Sequence, residues 1–266
     1  MICYGCSHGW LVFEKIRSQF VVLNPLSGKT IDLPPLKRGG RCEQLGKVVL
    51  SRDPSLGSFE VLVNYSNRFN KGALAHLKLG DEFWTYIDRY SDLGTLEDIT
   101  FYDKLIFGVS SNGRIMSLEI DHVWIKIKEE IVPNISWKFP FNSYFVETSK
   151  GDLLIVYGSM DDYDKPYYVY KLELSNGEFQ CIQVENLGDQ SLFIGANNCT
   201  LVVASNYPGY KANTIYCSYL LMERYTGSGH IYKVQEFNLE DQNIIEDRRR
   251  HGLFFETSWI VPSINF

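Results

Sequence analysis

Several things are missing from this chain, and each absence removes a class of function. No apolar run reaches the roughly 18 residues of a membrane span, so no membrane partner is expected. The opening Met1-Ile2-Cys3-Tyr4-Gly5-Cys6-Ser7-His8 has neither the basic start nor the apolar stretch of a signal peptide. An intracellular setting is therefore expected, in cytoplasm, nucleus or both. The sequons at Asn64, Asn134 and Asn198 then count as chance matches. A basic stripe is missing too: the net charge is -6 with both signs scattered along the chain, which argues against nucleic acid as a partner. The one dense cationic run, Arg248-Arg249-Arg250-His251, follows Glu240, Asp241, Glu246 and Asp247, whose charges offset it. It reads as an exposed loop.

Catalytic and ligand-binding spacings are also lacking. G-x-S-x-G, the P-loop, G-x-G-x-x-G after a strand, H-E-x-x-H and the EF-hand loop do not occur. Gly227-Ser228-Gly229-His230 sets a hydroxyl near an imidazole, but a flexible turn is a poor support for a nucleophile and its base. Asp161, Asp162 and Asp164 lack the glycine and distal glutamate of a calcium loop. Cys3, Cys6 and His8 form C-x-x-C-x-H. Structural zinc needs four ligands, and no second cluster of Cys or His follows. No catalytic residue, metal or cofactor is expected, and the six cysteines read as reduced, packed thiols.

What the chain does contain is a recurring pair of strands around a tight turn. It runs over residues 20–33, 73–87, 115–127 and 168–182, and more weakly over 231–239. Repeats of roughly 40 to 55 residues with several short strands each mark β-propeller blades. Ser111-Asn112-Gly113, Ser149-Lys150-Gly151-Asp152 and Ser175-Asn176-Gly177 supply the residues that hairpin turns demand. Trp84 and Trp124 occupy matching places in successive repeats, which fits core packing between blades. Helical periodicity over a dozen residues is absent, and no Gly/Ser-rich or Pro-rich linker divides the chain. The expectation is an all-β fold, a single β-propeller of five to six blades over residues 1–266, monomeric, with one blade short of strands. Its most irregular loops are those around 64–72, 159–166, 206–213 and 222–230.

The chain also resembles a known family along nearly its whole length. The segments are 3–12, Leu23-Asn24-Pro25-Leu26-Ser27-Gly28, 31–36, Lys47-Val48-Val49-Leu50-Ser51, 96–102 and 144–154. They continue with 184–195, Tyr207-Pro208-Gly209, Asn213-Thr214-Ile215-Tyr216 and Trp259-Ile260-Val261-Pro262-Ser263. In this order they are similar to the plant KIB-type F-box-associated β-propeller. The resemblance implies a substrate-recognition domain of the kind carried by F-box proteins in cullin ubiquitin ligases. There an F-box helix bundle docks on the Skp1 subunit and the propeller selects the protein to be ubiquitinated. No F-box is recognisable in these 266 residues, so direct Skp1 binding is not expected of them.

Together these point to a non-catalytic protein-interaction module that recognises a protein target through loops held by rigid strands. Within those loops, aromatic and arginine side chains are the types that most often carry interface energy. The candidates are Arg68, Phe69, Tyr163, Arg224 and Tyr225. Two alternatives stay open on the residues alone. One is an enzyme using the central channel of the propeller, which would need carboxylates or histidines converging from several blades. The other is a truncated gene product with no activity.

Overall fold

The computed structural model describes residues 2–15, 19–37, 44–66, 72–87, 95–121, 124–133, 142–158, 167–195, 198–221 and 230–252. Among them every regular element is a strand, apart from two single turns of 3-10 helix at Pro54–Leu56 and Ala204–Asn206. Two compact units divide the chain, with the border between Ser143 and Tyr144.

The first unit holds three four-stranded sheets. Sheet 1 is β1 (Ile2–Ser7), β2 (Trp10–Glu14), β3 (Phe20–Leu23) and β4 (Thr30–Asp32). Sheet 2 is β5 (Gln44–Leu50), β6 (Glu60–Ser66), β7 (Gly72–Lys78) and β8 (Thr85–Ile87). Sheet 3 is β9 (Leu96–Tyr102), β10 (Leu105–Ser110), β11 (Ile115–Asp121) and β12 (Trp124–Ile131). Each is a meander in chain order with antiparallel neighbours.

Strand alternation builds the cores between these sheets. Val48, Leu50, Val61, Val63, Ala73, Ala75 and Leu77 of sheet 2 meet Trp10, Val12, Phe20 and Val22 of sheet 1. The intervening residues Val49, Leu62, Leu74 and Ile87 turn the other way and meet Leu96, Ile99, Ile106, Met116 and Leu118 of sheet 3. Because successive side chains point to opposite faces, covering both faces makes both positions of the alternation apolar. That is why β6 and β7 read as near-continuous hydrophobic runs. Trp84 is buried against the first of these cores and donates its indole N–H to the Pro34 carbonyl at 2.8 Å.

The second unit holds the remaining strands, with β13 straddling the border. Sheet 4 is β13 (Asn142–Glu147), β14 (Leu153–Gly158), β15 (Tyr167–Ser175) and β16 (Glu178–Val184). Sheet 5 has five strands: β17 (Gln190–Ile194), β18 (Cys199–Val203), β19 (Thr214–Leu221), β20 (His230–Asn238) and β21 (Asn243–Gly252). Its order is β18-β17-β19-β20-β21, and β17 and β19 run parallel. A parallel neighbour cannot be reached by a tight hairpin. Here β18 and the loop after it supply the return. Val156, Val169, Leu192, Ile194, Ile215 and Phe237 lie at the centre of this unit's core.

The five sheets match the lower end of the expected blade count. Four of the sequence repeats also fall at the same place, on the last two strands of their sheets, β3–β4, β7–β8, β11–β12 and β15–β16, and the weak copy falls on β20 alone. The blade expected to be short of strands has no counterpart among the described sheets, since all five have at least four. The hairpin turns also form as read. Asn176 and Gly177 have φ of 54° and 87°, the pair of positive values that a two-residue hairpin of type I′ requires.

Candidate functional site

Two polar clusters stand out, one in each unit, and they differ in access. The first lies where the opening strands of the three sheets run side by side, β1 against β5 and β5 against β9. Gly5 permits that approach, because a Cβ there would collide with the Val48 carbonyl oxygen. Lys47 reaches from β5 to Asp98 on β9 with Nζ 2.7 Å from the carboxylate, and both side chains are almost fully buried. Asn64 braces the pair: its Oδ1 accepts from the Lys47 N–H, and its Nδ2 donates to the Leu96 carbonyl at 3.0 Å. Beside them, burial and the neighbouring Cys3 push the Cys6 thiol up to about 12. Burial likewise raises the Glu97 carboxyl above its ordinary range, opposed by the Ser143 N–H that it accepts.

This cluster is built to join strands. A buried ion pair costs much desolvation and persists only when paired and hydrogen-bonded well, as here. Channel catalysis would ask for carboxylates from several opening strands. Of the three opening strands joined here, β1 and β5 carry none and β9 carries Glu97 and Asp98. Asp98 is already neutralised by Lys47. The C-x-x-C-x-H group is spoken for locally: the Cys3 Sγ–H donates to the Gly5 carbonyl, and the His8 Nε2 lies 3.3 Å from the Leu50 carbonyl oxygen. No group of three or more His, Cys, Asp or Glu placed for a metal occurs among the described residues.

The second cluster is made of loops and faces solvent. Four connections of the second unit, 148–152, 185–190, 204–213 and 239–242, are tied together by hydrogen bonds. Asn213 is their hub. It is buried and holds φ of 55°, a left-handed value that asparagine tolerates better than most residues. Its N–H donates to the Gln190 carbonyl at 2.8 Å and its own carbonyl accepts from Leu239 at 3.1 Å. Its side-chain oxygen accepts from the Leu187 N–H at 2.8 Å, and its Nδ2 donates to Glu240 at 3.3 Å. Glu240 also accepts from Asn186 at 2.7 Å. Asp189 accepts from the Ser205 hydroxyl at 2.6 Å, and Gln190 donates to the Ser149 hydroxyl at 2.8 Å.

Within this frame Tyr207-Pro208-Gly209-Tyr210 forms a β-turn. The Tyr210 N–H donates to the Tyr207 carbonyl at 3.3 Å, and Gly209 has φ of 101°. Proline at the second position and positive-φ glycine at the third define type II. The turn leaves both tyrosines exposed, Tyr207 at 40% and Tyr210 at 43%. Below them Phe193 on β17 stacks on Tyr216 of the parallel β19, with centroids 4.9 Å apart. Tyr210 meets both rings edge-on at 4.9 and 5.3 Å. Burial raises the Tyr216 phenol, opposed by the Lys211 N–H that it accepts at 2.9 Å. The turn is thus an exposed aromatic feature on a rigid base.

The candidate residues Arg68, Phe69, Tyr163, Arg224 and Tyr225 all lie outside the described residues. Of the four irregular loops named from the sequence, 206–213 is the one described in full. Choosing by residue type within it missed Tyr207 and Tyr210, although Tyr-Pro-Gly-Tyr already spells a type II turn with an aromatic at each end.

The KIB1-4 β-propeller family model matches residues 1–245. The chain belongs to this family. Two Arabidopsis thaliana relatives carry F-box protein names. At2g33190 is 25% identical, over 98% of this chain and 77% of its own length. At3g25750 is 26% identical, over 69% of this chain and 49% of its own. Among solved structures, the GH43_1 enzyme from Xanthomonas citri, complexed with xylose, is similar with a TM-score of 0.42 and 8% identity. It spans 94% of this chain and 87% of its own.

Proposed function

We propose that this chain is a non-catalytic protein-interaction domain, the target-recognising part of an F-box type ubiquitin-ligase adaptor acting inside the cell. Membership of the KIB1-4 family and the F-box names of its relatives support the adaptor reading. The observation that carries the recognition step is the hydrogen-bonded loop platform around Asn213 with its two exposed tyrosines. Tyrosine combines a large rigid contact area with a polar tip, and loops fixed before binding lose little entropy on contact. Within the first unit, β1 and β5 carry no carboxylate and the buried Asp98 of β9 is held by Lys47, which supports this reading over channel catalysis.

The described residues of this chain make strands and two single 3-10 turns, not the helix bundle that Skp1 grips. They are therefore expected to hold the target rather than the ligase. The test is a pull-down from plant extract with the wild-type chain and with Tyr207→Ser/Tyr210→Ser, scored for Skp1, cullin and other proteins. Proteins captured by the wild type and lost with the variant are the expected result. Identical protein lists for the two chains would remove the loop platform as the recognition surface. Skp1 crosslinked directly to the described residues would remove the division of labour.

A further inference from the structure

We propose that the Tyr207–Tyr210 turn takes an arginine-bearing segment of the target protein, a refinement that rests on the recognition role just given to this loop. The two phenol rings supply the contact surface, and the charges on the loops joined to their turn select what lies on it. The four joined loops carry Asp152, Glu185, Asp189, Glu240 and Asp241 against Lys150 and Lys211. Lys211 is neutralised by Glu236 at 3.1 Å and Asp152 by Lys171 at 3.0 Å. Apart from these pairs, four exposed carboxylates, Glu185, Asp189, Glu240 and Asp241, stand against one exposed cation, Lys150. An acidic partner would meet repulsion here, and a purely apolar one would leave the carboxylates to be desolvated without compensation.

A guanidinium suits both halves of this surface. Its plane stacks on a phenol face, and its fork of N–H groups pairs with a carboxylate. Lysine offers a strongly hydrated point charge that does the second and does the first less well. Asp189 is the carboxylate best placed by connection, since it holds Ser205, two residues before Tyr207, through both the hydroxyl and the backbone N–H. Tyr210 is the better-fixed ring, seated edge-on against Phe193 and Tyr216.

The experiment uses the full chain and three short fluorescein-labelled peptides in which serine alternates with arginine, lysine or glutamate, read by fluorescence anisotropy. The arginine peptide is expected to bind, more tightly than the lysine peptide, and to weaken as salt rises. The glutamate peptide is expected not to bind. Tyr207→Ser, whose ring is exposed and whose loss leaves the turn's backbone bond intact, is expected to weaken the arginine peptide at least about tenfold. Tyr210→Ser is expected to do the same. Asp189→Asn tests the charge while keeping an acceptor for Ser205. Far-ultraviolet circular dichroism and melting temperature establish that each variant is folded. No binding of the arginine peptide, equal binding of all three peptides, or binding unchanged by Tyr207→Ser would overturn the proposal. If the pull-down loses its proteins with the tyrosine variants while the arginine peptide fails to bind, the recognition role stands and the arginine assignment falls. If the pull-down is unchanged as well, both fall.

Discussion

The Lys47–Asp98 cluster and the Asn213 platform use similar chemistry to opposite ends. Both gather polar groups from segments distant in sequence, and both use an asparagine amide as the brace. In the first, Lys47 and Asp98 are nearly water-free and Asn64 completes their bonding between β5, β6 and β9. In the second, the asparagine is buried and the loops that it joins remain exposed, Tyr207 and Tyr210 among them. Burying the charges commits the first cluster to holding strands together. Burying only the brace leaves the second free to touch something else. The comparison shows that where water is excluded decides the role, not which residue types are present.

The sharpest way to break this comparison is to remove one charge of the buried pair. Asp98→Ala leaves the Lys47 ammonium without its partner, and a cost of about 3–5 kcal/mol is expected. Replacing both, Lys47→Met with Asp98→Leu, removes the uncompensated charge and is expected to recover much of that loss. Urea denaturation of the wild type, the single variant and the double variant measures this. If Asp98→Ala melts like the wild type, the pair contributes nothing and the contrast between the clusters collapses.

A smaller effect belongs to the platform. Asn213→Ala strips the Leu187 N–H of its acceptor and puts alanine, which tolerates left-handed φ less well than asparagine, at a φ of 55°. The expected cost is about 2–3 kcal/mol, combining an orphaned buried donor with backbone strain. Asn213→Gly relieves the strain and keeps the orphan, so it is expected to fall between the two. Because the loss is confined to the loops, hydrogen exchange should rise at Leu187 and Leu239 and stay unchanged in β5–β7. Uniform exchange changes across both units would show that Asn213 is not a local brace.

How much of this could be read beforehand depends on the range over which the deciding interaction acts. The repeats and turns are local, so the strand–turn–strand pairs they form follow from alternation and from residues such as Asn176 and Gly177. The buried place of Trp84 follows from the same repeat. The parallel pairing of β17 with β19 does not, because nothing in Cys199–Val203 announces a return strand rather than the next member of a meander. The brace residues are equally hidden: Asn64 bonds Leu96 across 32 positions and Lys47 reaches Asp98 across 51. Asn213 stands in a segment quoted for its family resemblance, yet its role rests on Leu187 and Glu240, which only the fold brings near. Residue type alone chose Arg68, Tyr163 and Arg224, and type without neighbours cannot tell a brace from a contact.

The smallest effect, a loss of stability confined to alkaline pH, sharpens the contrast from the side of reactivity. Cys6 sits in the closed cluster and its thiol is pushed up from 9.0 to about 12, chiefly by burial. Burial disfavours the thiolate because its charge would lose water. A folded pKa above the unfolded value means the native state holds the proton more tightly. The stability linked to this group is therefore fully present below about pH 9 and is lost as pH rises from there toward 12. At pH 8 Cys6 should resist iodoacetamide in the native chain and react in denaturant, since the thiolate is the nucleophile. Mass spectrometry of the labelled peptide gives the readout, with Cys6→Ala removing both the label and this part of the alkaline loss of stability. Rapid labelling of native Cys6 at pH 8 would mean that water reaches the cluster around Lys47 and Asp98, and that the two clusters differ less in access than their geometry implies.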